Sequence, residues 1–347
     1  MSADAENPPP SAVRPVIVGV AGPTLSAAER ALFERLVPFG FILFARNIQD
    51  PGQVTALNRE LAALLPHTPA PILIDQEGGR VQRLKPPHWR QAPPAADVAA
   101  LYARDPEAGL RAATLNARLM AEELRPLGFS VDCAPCLDLA RPETHVAIGN
   151  RAHGADPDQV SALGRAVIEG LEAGGLLPVI KHMPGHGRAT VDSHLQLPRI
   201  EAGRSVLEAS DFRPFRTLAE RVGLGMTGHL LLPAFDPDRP ATVSPAVIDW
   251  VIRQEIGFDG LLLSDDLCMQ ALAGGPGDRV AACLAAGCDI ALYCSGDLEE
   301  NRQALAAAPA IAAPAWQRWN RALARCRPVA ELDAAAALNE LQGLMSA

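Results

Sequence analysis

Short apolar runs rich in Val, Ile and Leu recur along the chain, each ending in polar residues and each followed by a longer stretch with helical spacing. Eight stand out: PVIVGV (15–20), GFILF (40–44), PILID (71–75), FSVDC (129–133), LPVIK (177–181), GLGMT (223–227), GLLLS (260–264) and CDIALY (288–293). A strand with one face in water alternates apolar and polar residues, so uninterrupted runs predict parallel strands covered on both faces.

Between them lie amphipathic segments with start signals. In TLSAAERALFERLV, Ser26 followed by Glu29 three residues later is a capping box, and Ser244 before Pro245 reads as a cap followed by a proline at the first helical position. Eight β-then-α units over about 300 residues predict a single-domain α/β fold, a (β/α)8 TIM barrel, with a doubly wound open sheet as the alternative. The expected layout is a disordered leader over 1–13, a barrel over 14–330 and a helical tail over 331–347.

Composition narrows the partners. A net charge of -9 and the absence of any Lys/Arg run argue against nucleic acid. No apolar run approaches the ~18 residues needed to span a bilayer, and the N-terminal residues lack a signal-peptide pattern, so a cytoplasmic protein is expected. Seven cysteines, an odd number and mostly in apolar segments, fit reduced thiols. CAPC (133–136) has redox or zinc spacing but no second pair to complete a site. Gly223, Gly225 and Gly228 form a GxGxxG, yet prolines follow where a phosphate-binding helix should begin.

In both candidate folds, chemistry gathers at the carboxyl ends of the strands. The polar residues there are Asp75, Asp138, Lys181, His182, His229, Asp265 and Asp266. For Asp138 and Asp266, helix capping is an equally good explanation.

The stretch KHMPGHGRATVDSH (181–194) concentrates three histidines. His182 and His186 have zincin spacing, but Pro184, Gly185 and Gly187 forbid the helix that would place them on one face. A metal site through His182, His186 and His194 stays an alternative. Asp192 and His194 can share one side of an extended segment as an acid-base pair, with Asp265 as a nucleophile on a rigid strand end.

Taken together, IDQEGGRVQRL, IGNRAHG, KHMPGHGRATVDSH and GFDGLLLSDDLCM resemble the family 3 glycoside hydrolases, and within them the single-domain bacterial β-N-acetylhexosaminidases of the NagZ type. The likeness runs from about Val16 to about Cys294. It implies a TIM barrel that removes terminal β-linked N-acetylglucosamine with retention, in cell-wall (muropeptide) recycling. It further implies Asp265 as nucleophile, His194 as general acid/base with Asp192 as its partner, and sugar binding by Asp75, Arg83, Arg151, Lys181 and His182.

No cofactor or metal is expected, and the partner is a small carbohydrate bound by a monomer. The alternatives are a family 3 glycosidase of other β-glycoside specificity and a metal-dependent barrel hydrolase. RAH (151–153) departs from the family by placing His153 where an aromatic is usual, and Cys268 stands where a small residue is common.

Overall fold

The computed structural model describes residues 9–193, 195–326 and 328–346. Eight parallel strands close into a barrel in sequence order: β1 (Arg14–Gly19), β2 (Pro38–Leu43), β3 (Ile72–Ile74), β4 (Val131–Asp132), β5 (Leu177–Met183), β6 (Leu224–Thr227), β7 (Leu261–Asp266) and β8 (Ile290–Tyr293). Each corresponds to one apolar run, and closure excludes the open sheet. The capping box forms as expected: Ser26 Oγ accepts from Glu29 N, and Glu29 Oε2 accepts from Ser26 N at 2.9 Å.

The strands separate two apolar clusters with a period of two. Ile17, Ile42, Leu73, Val179, Leu263 and Leu292 fill the barrel interior, whereas Val16, Val18, Ile72, Ile74, Ile180 and Leu262 face the surrounding helices. This alternation is the pleat itself, hidden in the sequence because both faces are apolar.

The interior is closed at the amino-terminal end by the helix Ala313–Leu323, whose Trp316 and Trp319 pack with Phe39 and Ile311. Phe39 meets Trp319 edge-on at 5.3 Å between centroids. With that end sealed, the interior opens at the strands' carboxyl ends.

Four sequence expectations need correction or a limit. β5 continues through Met183 and β7 through Asp266, beyond the ends of the apolar runs at Lys181 and Ser264, so His182, Asp265 and Asp266 lie within the strands. The segment after Ser244 takes a π-helical register over Val247–Glu255, although Ser244 Oγ does accept from Val247 N at 3.1 Å. Val13, placed in the leader, is fully buried, and its carbonyl accepts from Ile311 N; residues 1–8 lie outside the described ones. Finally, the tail helix Ala334–Ser346 buries Ala337 and Leu341 and pairs Glu340 with Arg111 on the helix Pro106–Leu124.

GxGxxG serves packing: a Cβ on Gly225 would lie 2.1 Å from Met183 Cε and 2.9 Å from the Phe258 ring. Cys133 and Cys136 are buried free thiols. Among the described residues, no helix is long and apolar enough to cross a membrane.

Candidate functional site

Inward parity carries directly into the open end. Leu73 points inward, so Asp75 does as well; Val179 leads to Lys181, and Leu263 to Asp265. These three residues border a cavity of about 310 Å³ at the carboxyl ends of the strands. Arg83, Arg151, His182 and Asp192 border the same cavity. His194 lies outside the described residues. Every other site residue implied by the family resemblance therefore reaches one pocket, from four separate stretches of chain.

Its wall is a continuous chain of ion pairs. Lys181 Nζ donates to Asp75 Oδ1 at 2.8 Å and lies 2.7 Å from Glu77 Oε1. Arg83 Nη2 donates to Asp75 Oδ2 at 3.0 Å. Arg151 holds Glu77 through two bonds, Nε to Oε2 at 2.8 Å and Nη2 to Oε1 at 2.7 Å, the bidentate geometry that fixes a guanidinium in a plane.

Burial alone would push the Asp75 and Glu77 carboxyls up. The cations outweigh it: Lys181 and Arg83 hold Asp75 below the usual carboxylate range, and Arg151 with Lys181 brings Glu77 down to about 2. Lys181 is buried too, which disfavours its charge, but the two carboxylates raise it above the ordinary lysine value. The wall is thus fully ionised, with its hydrogen-bonding groups fixed in place.

The loop between Asp75 and Arg83 is shaped to return Arg83 to its partner. Gln76 Oε1 accepts from the amides of Arg83 and Leu84 at 2.9 and 3.1 Å. Gly78 turns the chain at φ 94°, where a Cβ would also sit 2.5 Å from Pro93 O.

Asp265 is held by a closed set of hydrogen bonds. Its amide donates to Thr227 Oγ1 at 3.3 Å, Thr227 and Thr242 hydroxyls bond at 2.8 Å, and Thr242 Oγ1 lies 2.8 Å from His229 Nδ1. His229 Nε2 lies 2.9 Å from the carbonyl oxygen of Asp266. A carbonyl only accepts, so Nε2 carries the proton and Nδ1 accepts from Thr242. Burial lowers the His229 pKa, in keeping with a neutral ring. His229, expected at the strand ends as a site candidate, is fully buried and braces the backbone around Asp265 instead of bordering the cavity. Burial works to raise the Asp265 carboxyl, but His182, His229 and the Asp266 amide outweigh it and keep its pKa below the usual value.

Asp138 is also absent from the cavity wall. Fully buried, it lies 2.6 Å from His182 Nδ1 and accepts from His186 N at 2.6 Å. With Cys136 and His182 it forms, among the described residues, a group whose potential ligand atoms lie within 4.8 Å of one another. Hydrogen bonds within the group account for that closeness, because Cys136 Sγ donates to Asp138 Oδ2 at 3.2 Å. His186 does border the cavity, and burial brings its pKa down to about 4. His153 is buried behind Arg151 and, through desolvation, is likewise lowered to about 4.

The sequence reading missed Glu77, the acid joining Lys181 to Arg151. Its signal was its place two residues after Asp75 in DQEGGR.

Asp132 lies below this wall, fully buried, with Oδ1 accepting from Gln76 N at 3.0 Å and no partner for Oδ2 among the described residues. Burial raises its pKa well above the usual value. An acid that ionises near pH ~4 when unfolded but keeps its proton when folded costs stability as pH rises above that value. Asp132→Asn is therefore expected to melt higher than wild type at pH 7.5, with the gap closing toward pH 4; calorimetry at the two pH values measures it.

Residues 21–318 match the glycosyl hydrolase family 3 N-terminal domain. A β-hexosaminidase of Stenotrophomonas maltophilia is 40% identical over 289 residues, covering 82% of this chain and 85% of the relative. One from Alkalilimnicola ehrlichii is 43% identical over 284 residues, covering 81% and 80%. Native NagZ from Neisseria gonorrhoeae superposes with a TM-score of 0.83 at 32% identity, over 98% of this chain and 100% of that one, and its structure is also known with N-trifluoroacetyl-D-glucosamine. The barrel, the ionised wall at its carboxyl end and these likenesses agree: the chain belongs to glycosyl hydrolase family 3.

Proposed function

We propose that the chain is a retaining exo-β-N-acetylglucosaminidase. The observation that carries this reading is the convergence of Asp265, on a strand end braced by His229, with the wall formed by Asp75, Arg83, Arg151, Lys181 and His182. Relatives bearing the β-hexosaminidase name and a neighbour crystallised with a glucosamine derivative support the sugar assignment.

In this reading the wall takes the hydroxyl and acetamido groups of one terminal sugar in the cavity. Carboxylate and guanidinium oxygens and nitrogens fixed by their ion pairs accept from and donate to the ring without reorganising. Asp265, ionised at neutral pH, attacks the anomeric carbon, and the leaving oxygen takes a proton from His194, oriented by Asp192. Water, deprotonated by His194, then releases the sugar with its configuration retained. Most retaining glycosidases use a carboxyl group for the proton transfers; a histidine with a pKa near ~6.5 performs both at neutral pH. We place the substrate among β-linked N-acetylglucosamine muropeptide fragments, and the enzyme in cytoplasmic cell-wall recycling.

A set of aryl β-glycosides differing only at C2 tests the reading. The acetamido compound is expected to exceed the hydroxyl and amino compounds by at least about 10²-fold in kcat/KM, the range in which unpaired buried polar groups discriminate. Equal rates would sink the N-acetyl assignment and favour another β-glycoside. The same assay after exhaustive chelation tests the metal-dependent alternative, for which loss of activity is required.

A further inference from the structure

We propose that Asp138 is a positioning residue: it fixes His182 in the tautomer protonated at Nδ1, so that Nε2 accepts from Arg151 and holds that guanidinium in the wall of the sugar pocket. The inference rests on the glycosidase reading only for what the pocket binds. Two independent contacts dictate the tautomer.

On one side, Asp138 Oδ2 lies 2.6 Å from His182 Nδ1. The carboxyl is held ionised: burial works to raise it, but the close contact with His182 Nδ1 and the hydrogen bond from the His186 amide outweigh this and keep it below the usual range. An ionised carboxylate only accepts, so Nδ1 carries hydrogen. On the other side, Arg151 Nη2 lies 3.3 Å from Nε2. A guanidinium only donates, so Nε2 accepts.

Asp138 has no contact with the cavity, yet it governs the cavity wall. Through His182 it reaches Arg151, which holds Glu77, which meets Lys181. Its other oxygen accepts from His186 N and, at 3.4 Å, from His182 N. One buried carboxylate thereby ties the end of β5 to the segment that leads to Asp192.

The consequence for substrate passes through Arg151: with its one lone pair on that guanidinium, Nε2 fixes the orientation of a side chain that borders the cavity.

Asp138→Asn separates this role from simple support of the fold. The side-chain carbonyl can still accept from the amides of His182 and His186, while the new NH2 faces His182 Nδ1 and moves the imidazole proton to Nε2. There it opposes the Arg151 donor, as the Asp→Asn change in a serine-protease triad imposes the wrong tautomer. The expected result is a fall in kcat/KM of about 10²-fold on an aryl N-acetylglucosaminide, with a melting temperature within a few degrees of wild type.

The diagnostic readout is the tautomer of His182, which a role in support of the fold alone would leave unchanged in Asp138→Asn.

Nitrogen NMR of the wild-type imidazoles, with the His182 signal identified by its loss in His182→Gln, reads the tautomer without substrate or turnover. It therefore stands apart from the glycosidase assignment. An Nε2–H tautomer for His182 in wild type overturns the proposal, whatever the fate of the variant. So does an Asp138→Asn enzyme whose kcat/KM stays within twofold of wild type.

Discussion

Asp265→Asn is expected to lower kcat on an aryl β-N-acetylglucosaminide by at least about 10³-fold and to leave the melting temperature unchanged or slightly raised. The size of the loss follows from the proposed role. An amide at this position cannot attack the anomeric carbon, and the remaining wall would still bind the sugar, so KM should move far less than kcat. Stability should hold because the Asp265 backbone, not its side chain, makes the bond to Thr227, and that bond survives the substitution. Removing a buried charge also removes its desolvation cost.

A 5-fluoro N-acetylglucosaminyl inactivator should add one glycosyl unit to the wild-type chain at Asp265, read by intact mass and peptide mapping, and none to the variant. Inactivation of wild type without an adduct would point instead to the substrate's own acetamido group as nucleophile. Near wild-type turnover by Asp265→Asn would remove Asp265 from the chemistry altogether.

Lys181→Met is expected to be the most destabilising single change at the site, by roughly 3–5 kcal/mol, and to abolish measurable sugar binding. Lys181 is 1% exposed and, among the described residues, is the one cation shared by Asp75 and Glu77. Methionine fills much of the same volume, so the cost is electrostatic and not that of a cavity. The two carboxylates would keep only Arg83 and Arg151 respectively, and each would lose its ion pair with Nζ.

The pH dependence has a defined sign. In wild type the Asp75 and Glu77 pKa values are lowered, so their contribution is present above the unfolded values near ~4 and is lost as pH falls through the folded ones. In Lys181→Met both values rise, so the variant should lose less stability than wild type on acidification from pH 6 to pH 3. Denaturant titrations at the two pH values measure this directly. A uniform loss at both would mean that Lys181 acts through packing.

Much of the arrangement is already present in short stretches of chain. The eight apolar runs correspond to the eight strands because a strand buried on both faces must be apolar throughout. The capping box at Ser26 needs no tertiary contact to form, and neither does the turn imposed by Gly78. Proline and glycine in 184–187 rule out a zincin helix from local geometry alone. The polar residues that end the strands identify the rim, since on a parallel barrel all carboxyl ends meet on one side.

Which of those residues faces the cavity was decided only by tertiary structure. Asp75, Lys181 and Asp265 have the inward parity of Leu73, Val179 and Leu263, but strands apolar on both faces give no sign of which parity points inward. His229 and Asp138 look the same as the others in sequence; closure of the barrel buries both, one to brace the Asp265 backbone and the other to hold His182. Glu77 acquires its place between Lys181 and Arg151 only when chain segments more than 70 residues apart are brought together, as the Glu77–Arg151 separation of 74 records. Local sequence determined the elements and their polar ends, because periodicity and capping act within a few residues. Tertiary structure determined the ion-pair chain and the bracing of the nucleophile, because desolvation and charge pairing depend on neighbours that the chain brings together only on folding.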